Sequence, residues 1–226
     1  MKPEMSGYLS LVQRFLVLEQ PDPKDVLSFI SESARFLPVE YEKLAGAPPA
    51  KIVVVCRENQ GRSQIAEALL QATATMIGLP VTIKSVGLHA TPEKYDGAPN
   101  PIVQYIMDVF GIPLVTATVK QIQPEDITED TIVIILDDSE LPDYIFLAKL
   151  VLVNHTNDPS LRARDNDDLL AGLSTTLEEL IYFAISLTFK LAETTAESDF
   201  AIFENYFHKL VRKKNRVAEN ENPNNI

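Results

Sequence analysis

The chain has 226 residues, 46% of them hydrophobic, which suits one α/β domain with extensions or a domain plus a small helical module. Its formal charge of −12 opposes a nucleic-acid backbone as main ligand. A single cysteine excludes an internal disulfide framework.

In chain order, residues 1–50 read as a helical extension. Apolar residues recur at three- and four-residue intervals over 8–18 and 24–36, separated by the break at Pro21 and Pro23. A short piece over 39–44 follows Pro38, and Gly46-Ala47-Pro48-Pro49 reads as a linker. The extension is expected to be a small bundle or a dimerisation element, so a homo-oligomer through these helices is one expectation. The first twenty residues lack the basic, apolar and small-residue layout of a secretory signal, and no apolar run reaches the ~20 residues of a membrane span. The expected setting is cytoplasmic and reducing, with no membrane partner.

The segment KIVVVCRENQGRSQIAEALL is the centre of the chain. Residues 51–55 predict a strand, and Ile65, Leu69, Ala72 and Met76 recur at helical spacing. Between them, the loop Cys56-Arg57-Glu58-Asn59-Gln60-Gly61-Arg62 sets the only cysteine at the strand's carboxyl end and Ser63 at the start of a helix. Such a loop makes a bowl of backbone N–H groups over a helix N-terminus, which suits an oxyanion. The same field, with a neighbouring guanidinium, favours the nucleophilic thiolate. Arg62 is expected to fold over the bowl and hold two oxygens of a tetrahedral anion in its planar fork.

Further along, strands are predicted over 81–86, 131–136 and 151–154, and helices over 101–110, 141–147 and 175–191. Gly111 marks a helix end, and Thr175-x-x-Glu178 reads as a capping box opening the last of these helices. Alternating strands and helices imply a parallel sheet with ligands beyond the carboxyl ends of its strands, where Cys56 falls. Residues 198–211 predict one more helix. Lys209, Arg212, Lys213, Lys214 and Arg216 read as a solvated helix end, and the tail that follows as disordered. The expected division is an extension over 1–50, an α/β domain over 51–212 and a tail over 213–226. His89, His155 and His208 have no metal-ligand spacing, so no metal or cofactor is expected.

The stretch VVVCRENQGRSQIAEALL resembles the phosphate-binding loop of the low-molecular-weight protein tyrosine phosphatases and of the arsenate reductases that share their fold. The resemblance continues through IKSVGLHATP and APNPIVQYIMDVFGIPL and spans about residues 51–191. It implies a four-stranded parallel sheet flanked by helices, with Cys56 as nucleophile and Arg62 as oxyanion clamp. Residues 57–61 and Ser63 (Arg57, Glu58, Asn59, Gln60, Gly61, Ser63) would form the substrate-binding loop. Asp158, in the Asp-Pro pair after the fourth strand, would be the general acid. Ser85 is similar to the family's serine that supports the loop, and Asn59 would brace it with a left-handed backbone.

Several positions depart from the family pattern. Glu58 stands in place of a glycine, Gly61 in place of a second cysteine, and Ala117 in place of a supporting histidine. Ser160-Leu161 follow Asp158-Pro159 where tyrosine is usual, so a flat aromatic substrate lacks its platform. Asp165, Asp167 and Asp168 read as a solvated run, and Asp137-Asp138 as capping or loop structure. Three functions follow: a cysteine-dependent phosphatase acting on a phosphorylated protein or small phosphoester, an arsenate reductase drawing on an external thiol, or a catalytically weak oxyanion-binding regulatory module. The triplet RSQ and the missing tyrosine favour the second, while the absence of relay cysteines opposes it.

Overall fold

The architecture follows from four short apolar segments that become parallel strands. A computed structural model describes residues 51–77, 79–114, 117–161, 163–164 and 166–193. The helices expected over 1–50 and 198–211, the basic cluster from Lys209 to Arg216, and Asp165 lie outside the described residues. Strands β1 (Lys51–Cys56), β2 (Thr82–Gly87), β3 (Thr131–Ile135) and β4 (Leu150–Val153) form one sheet in the order β2-β1-β3-β4. Every pairing is parallel, with Cys56 opposite Gly87 and Val55 opposite both Val86 and Ile135.

Burial explains the composition of the strands. Ile52 to Cys56 and all of β3 are buried, as a central parallel strand covered on both faces requires. Alternate residues serve different cores. Ile52, Val54 and Cys56 join a cluster with residues of α1 (Arg62–Ile77), α2 (Pro101–Val109) and α3 (Asn166–Glu193), among them Ile65, Leu69, Met107, Leu173 and Leu180. Val53 and Val55 face a smaller cluster with Val86, Ile122, Val133, Ile135 and Ile145. The α-helices therefore gather on one core, while the other is closed largely by chain carrying 3₁₀ turns at Pro124–Asp126 and Asp143–Leu147.

Some local expectations shift. The segment expected to be helical over 141–147 is the 3₁₀ turn Asp143–Leu147. The capping box at Thr175 and Glu178 does not open a helix, because α3 already begins at Asn166. Thr175 lies in its interior and its Oγ1 donates back to the Ala171 carbonyl at 3.4 Å, the route open to a mid-helix hydroxyl. Over Asp168–Thr188, α3 is long and apolar enough to cross a membrane by length and composition, which corrects the reading that no run approaches this. In this fold it packs against α1 and contributes Leu173, Leu177, Leu180, Ala184 and Leu187 to the core. The end of α2 agrees with the sequence: Gly111 has φ +84°, a left-handed residue just past the helix.

Candidate active site

The site lies at the carboxyl ends of β1, β3 and β4. β1 stops at Cys56, and the chain turns through residues 57–61 before α1 begins at Arg62. Two carbonyls of this loop are tied to the segment after β2, since Leu88 N donates to Cys56 O at 2.9 Å and His89 N to Arg57 O at 2.7 Å. A third is tied to the start of α2, with Asn100 N donating to Gln60 O at 3.0 Å. With the carbonyls turned outward, the amides of residues 57–61 donate to no acceptor among the described residues. Grouped unpartnered amides call for an anion or water.

A chain of hydrogen bonds fixes the loop and orients a proton. Asn59 is one of two described non-glycine residues at positive φ, +56°, and its side chain is fully buried. Its Nδ2 donates to Ser63 Oγ at 2.8 Å and to Ser85 Oγ at 3.0 Å. Its Oδ1 accepts from Lys120 N at 2.8 Å and Gln64 Nε2 at 3.0 Å. Ser85 Oγ donates in turn to Glu67, which also accepts from Ser85 N at 3.0 Å and pairs with Lys120 Nζ at 3.7 Å. Ser63 Oγ, which accepts from Asn59, lies 3.0 Å from Cys56 Sγ, within reach to donate its own hydrogen to a thiolate there. A donor aimed at the sulfur stabilises a thiolate.

Arg62 has a different arrangement from the expected lid over the bowl. Its guanidinium is buried and its terminal nitrogens reach four oxygens at the ends of β3 and β4. Nη1 donates to the carbonyls of Leu136 at 3.0 Å and Thr156 at 2.8 Å. Nη2 donates to Asp137 Oδ2 at 2.7 Å and Asp158 Oδ2 at 2.8 Å. Asp137 is thus a partner of the arginine, not only the loop residue expected from sequence. Burial pushes its carboxyl up, but hydrogen bonds from the Ser139 hydroxyl and amide, with the Arg62 charge, outweigh that and hold it below the usual carboxylate range.

The structure brings Cys56, Glu58, Gln60, Gly61, Arg62 and Asp158 to one cleft, with Val103, Leu169 and Leu173 on its apolar side. Asp158 begins the turn Pro159–Leu161, and its Oδ1 accepts from Ser160 N at 2.9 Å and Ser160 Oγ at 2.6 Å. Glu58 reaches Lys94 Nζ at 3.4 Å at the rim, where both side chains are about half exposed. Arg57 is exposed and faces a neighbouring hollow beside Asp137, Asp138 and His155. His155 pairs with Asp138 at the surface. Asp168 is bound by Arg164 Nε at 2.8 Å on exposed α3 surface. No group of three His, Cys, Asp or Glu among the described residues is placed to hold a metal.

Sequence reading missed three supports of the loop: Gln64, Glu67 and Lys120. Gln64 Nε2 reaches Asn59 O at 3.2 Å and Thr118 O at 2.9 Å, so it ties the loop to the segment beside Ala117. The available signal was helical phase, since Gln64 and Glu67 lie three apart on α1 and face inward together.

Residues 51–159 match the family model for low molecular weight phosphotyrosine protein phosphatase. This part of the chain is similar to that family. Among solved structures, an arsenate reductase in the phosphate-binding state is 21% identical, with a TM-score of 0.50 over 64% of this chain and 98% of its own. The structure named Primo-1 is 18% identical, with a TM-score of 0.50 over 60% and 94%. The tyrosine phosphatase AmsI of Erwinia amylovora is 20% identical, with a TM-score of 0.46 over 67% and 97%. At these identities the likeness to the first two shows the fold alone. No curated protein sequence matches the chain.

Proposed function

We propose that this protein is a cysteine-dependent phosphate monoester hydrolase of the low-molecular-weight phosphatase type. The observation that carries the reading is Cys56 Sγ, 3.0 Å from the Ser63 hydroxyl, under a loop whose amides lack acceptors among the described residues. The Cys56 thiolate attacks phosphorus and forms an S–P bond while the ester P–O bond breaks. The loop amides and Arg62 take up the charge that develops on the phosphoryl oxygens. Asp158 gives its proton to the departing oxygen, and the resulting carboxylate then removes a proton from the water that hydrolyses the thiophosphate. Ser63 donates to the sulfur as it leaves.

The rim indicates the kind of ester. The cleft is lined by Glu58, Lys94, Ser160, Val103, Leu169 and Leu173, with no aromatic ring among its described lining residues. A non-aromatic phosphate monoester, free or on a protein, suits it better than phosphotyrosine. Cys56 is the only cysteine of the chain, so no relay of thiols within it could regenerate an oxidised sulfur, which favours the phosphatase over the reductase. A reducing cytoplasmic setting suits a thiolate nucleophile.

Hydrolysis of an aryl and an alkyl phosphate tests the assignment. Cys56→Ser is expected to abolish turnover of both. Asp158→Ala is expected to lower kcat about 10²–10⁴-fold, more for the alkyl ester, whose alkoxide needs the proton most. Turnover only with arsenate and a small thiol would transfer the site to the reductase reading. Phosphate binding with no turnover at all would leave an oxyanion-binding module.

A further inference from the structure

The guanidinium of Arg62 has five N–H bonds, and four of them are already taken. Only Nε remains for an incoming anion, so a two-oxygen grip requires one of the present partners to leave. Two of these are carbonyls of the main chain, fixed by the ends of β3 and β4. Asp137 is the better-buried carboxylate, 10% exposed, and Ser139 holds its other oxygen through both amide and hydroxyl. Asp158 is 21% exposed, and its other oxygen rests on Ser160, which is itself at the surface. The partner that can yield is Asp158.

We propose that the bound oxyanion arms its own general acid: it displaces Asp158 from Arg62, and the freed carboxylate takes a proton from solvent. In the empty site Asp158 accepts from the Arg62 cation and from two Ser160 donors, so both of its oxygens are engaged as acceptors and neither is placed to give a proton. Losing the cation and gaining a dianion as neighbour both favour the protonated form. Proton and acid then arrive together with substrate. Asp137 stays on Nη2 and the two carbonyls on Nη1, so the arginine remains compensated and oriented while Nε and the freed Nη2 hydrogen turn to the anion. Ser160 is a positioning residue that keeps the carboxyl at the cleft after its release.

Other groups face this carboxyl and could compete for the proton. Cys56, Glu58 and Lys94 line the same cleft. Arg57, Asp137, Asp138 and His155 line the hollow on its other side, and Arg164, Asp168 and Glu179 border it toward α3.

The inference rests on the proposed oxyanion site and is tested without turnover. Sulfate stays a dianion near pH ~5.5, where a carboxyl can titrate, so it brings no proton of its own. Calorimetric titration of the full chain with sulfate, in two buffers of different ionisation enthalpy, counts the protons taken up. Uptake approaching one proton per sulfate is expected for the wild type and for His155→Gln. It is expected to vanish in both Asp158→Asn and Asp158→Ala. Wild-type affinity should tighten as pH falls, and that slope should flatten in the same two variants. Sulfate binding without uptake, or with uptake that survives the loss of Asp158, overturns the arming mechanism and leaves the phosphatase reading standing. Failure of sulfate to bind the wild type overturns the oxyanion site itself, and the arming mechanism with it.

Discussion

Each side chain around Cys56 constrains the next, and the direction of the bonds carries the meaning. Glu67 receives from Ser85, Ser85 from Asn59, and Asn59 also gives to Ser63, which stands beside the sulfur with its own hydrogen still to place. The Asn59 oxygen is saturated by Lys120 N and Gln64, so the amide cannot turn over without breaking both bonds. Asp137 illustrates the same logic on the arginine side. Its folded carboxyl titrates below the ordinary range, so its contribution to stability is complete above an unfolded value of ~3.9 and is lost as pH falls through the lower folded value. Asp137→Asn is therefore expected to be less stable than the wild type at neutral pH, on the order of 1 kcal/mol, from loss of a charge-assisted bond. Melting curves from neutral pH downward should show that gap close below pH ~4. A gap independent of pH would mean that the contact with Arg62 does not stabilise the fold through the carboxylate.

At the scale of elements, two glycines set how closely the loop segments approach. A Cβ on Gly87 would lie 2.9 Å from Asn59 N and Glu58 C and 3.0 Å from Arg57 O, all main-chain atoms of the loop. Nothing there is the free end of a flexible side chain, so Gly87→Ala must move the loop. Its expected cost is about 1–3 kcal/mol in stability, together with loss of sulfate binding. Gly172, inside α3, stands 2.8 Å from Pro159 Cβ by the same construction. Alanine is the better helix former by ~1 kcal/mol, which offsets part of the collision with the proline. Gly172→Ala should therefore leave the melting temperature nearly unchanged but shift the turn that carries Asp158. The expected result is a lower kcat for the alkyl ester with sulfate affinity preserved. Equal loss for aryl and alkyl esters would show that α3 does not position the acid.

For the molecule as a whole, what could be read from sequence was whatever depends on local pattern. The continuous apolar runs of β1 and β3 announced a covered parallel sheet, and the sequence CRENQGRS announced a loop for an oxyanion at a strand's end. Partners that meet only through the fold were beyond it. Asp137 lies 75 positions from Arg62 and Asp158 lies 96, so that both share one nitrogen could not be foreseen from spacing. The start of α3 was placed too late because the polar Asn166-Asp167-Asp168 suppressed the apolar period, although the helix already runs there. Gln64 was read as a mark of lineage and proved to be a brace, since only the fold brings Thr118 beside it. The account centres on a covalent step at one sulfur. Acid-quenching Asp158→Ala during turnover of an aryl phosphate, then locating the phosphoryl group by mass spectrometry, tests it most directly. The expected result is a phosphoryl adduct on Cys56 that decays with release of inorganic phosphate. Sustained hydrolysis with no adduct, unchanged in Cys56→Ser, would contradict it.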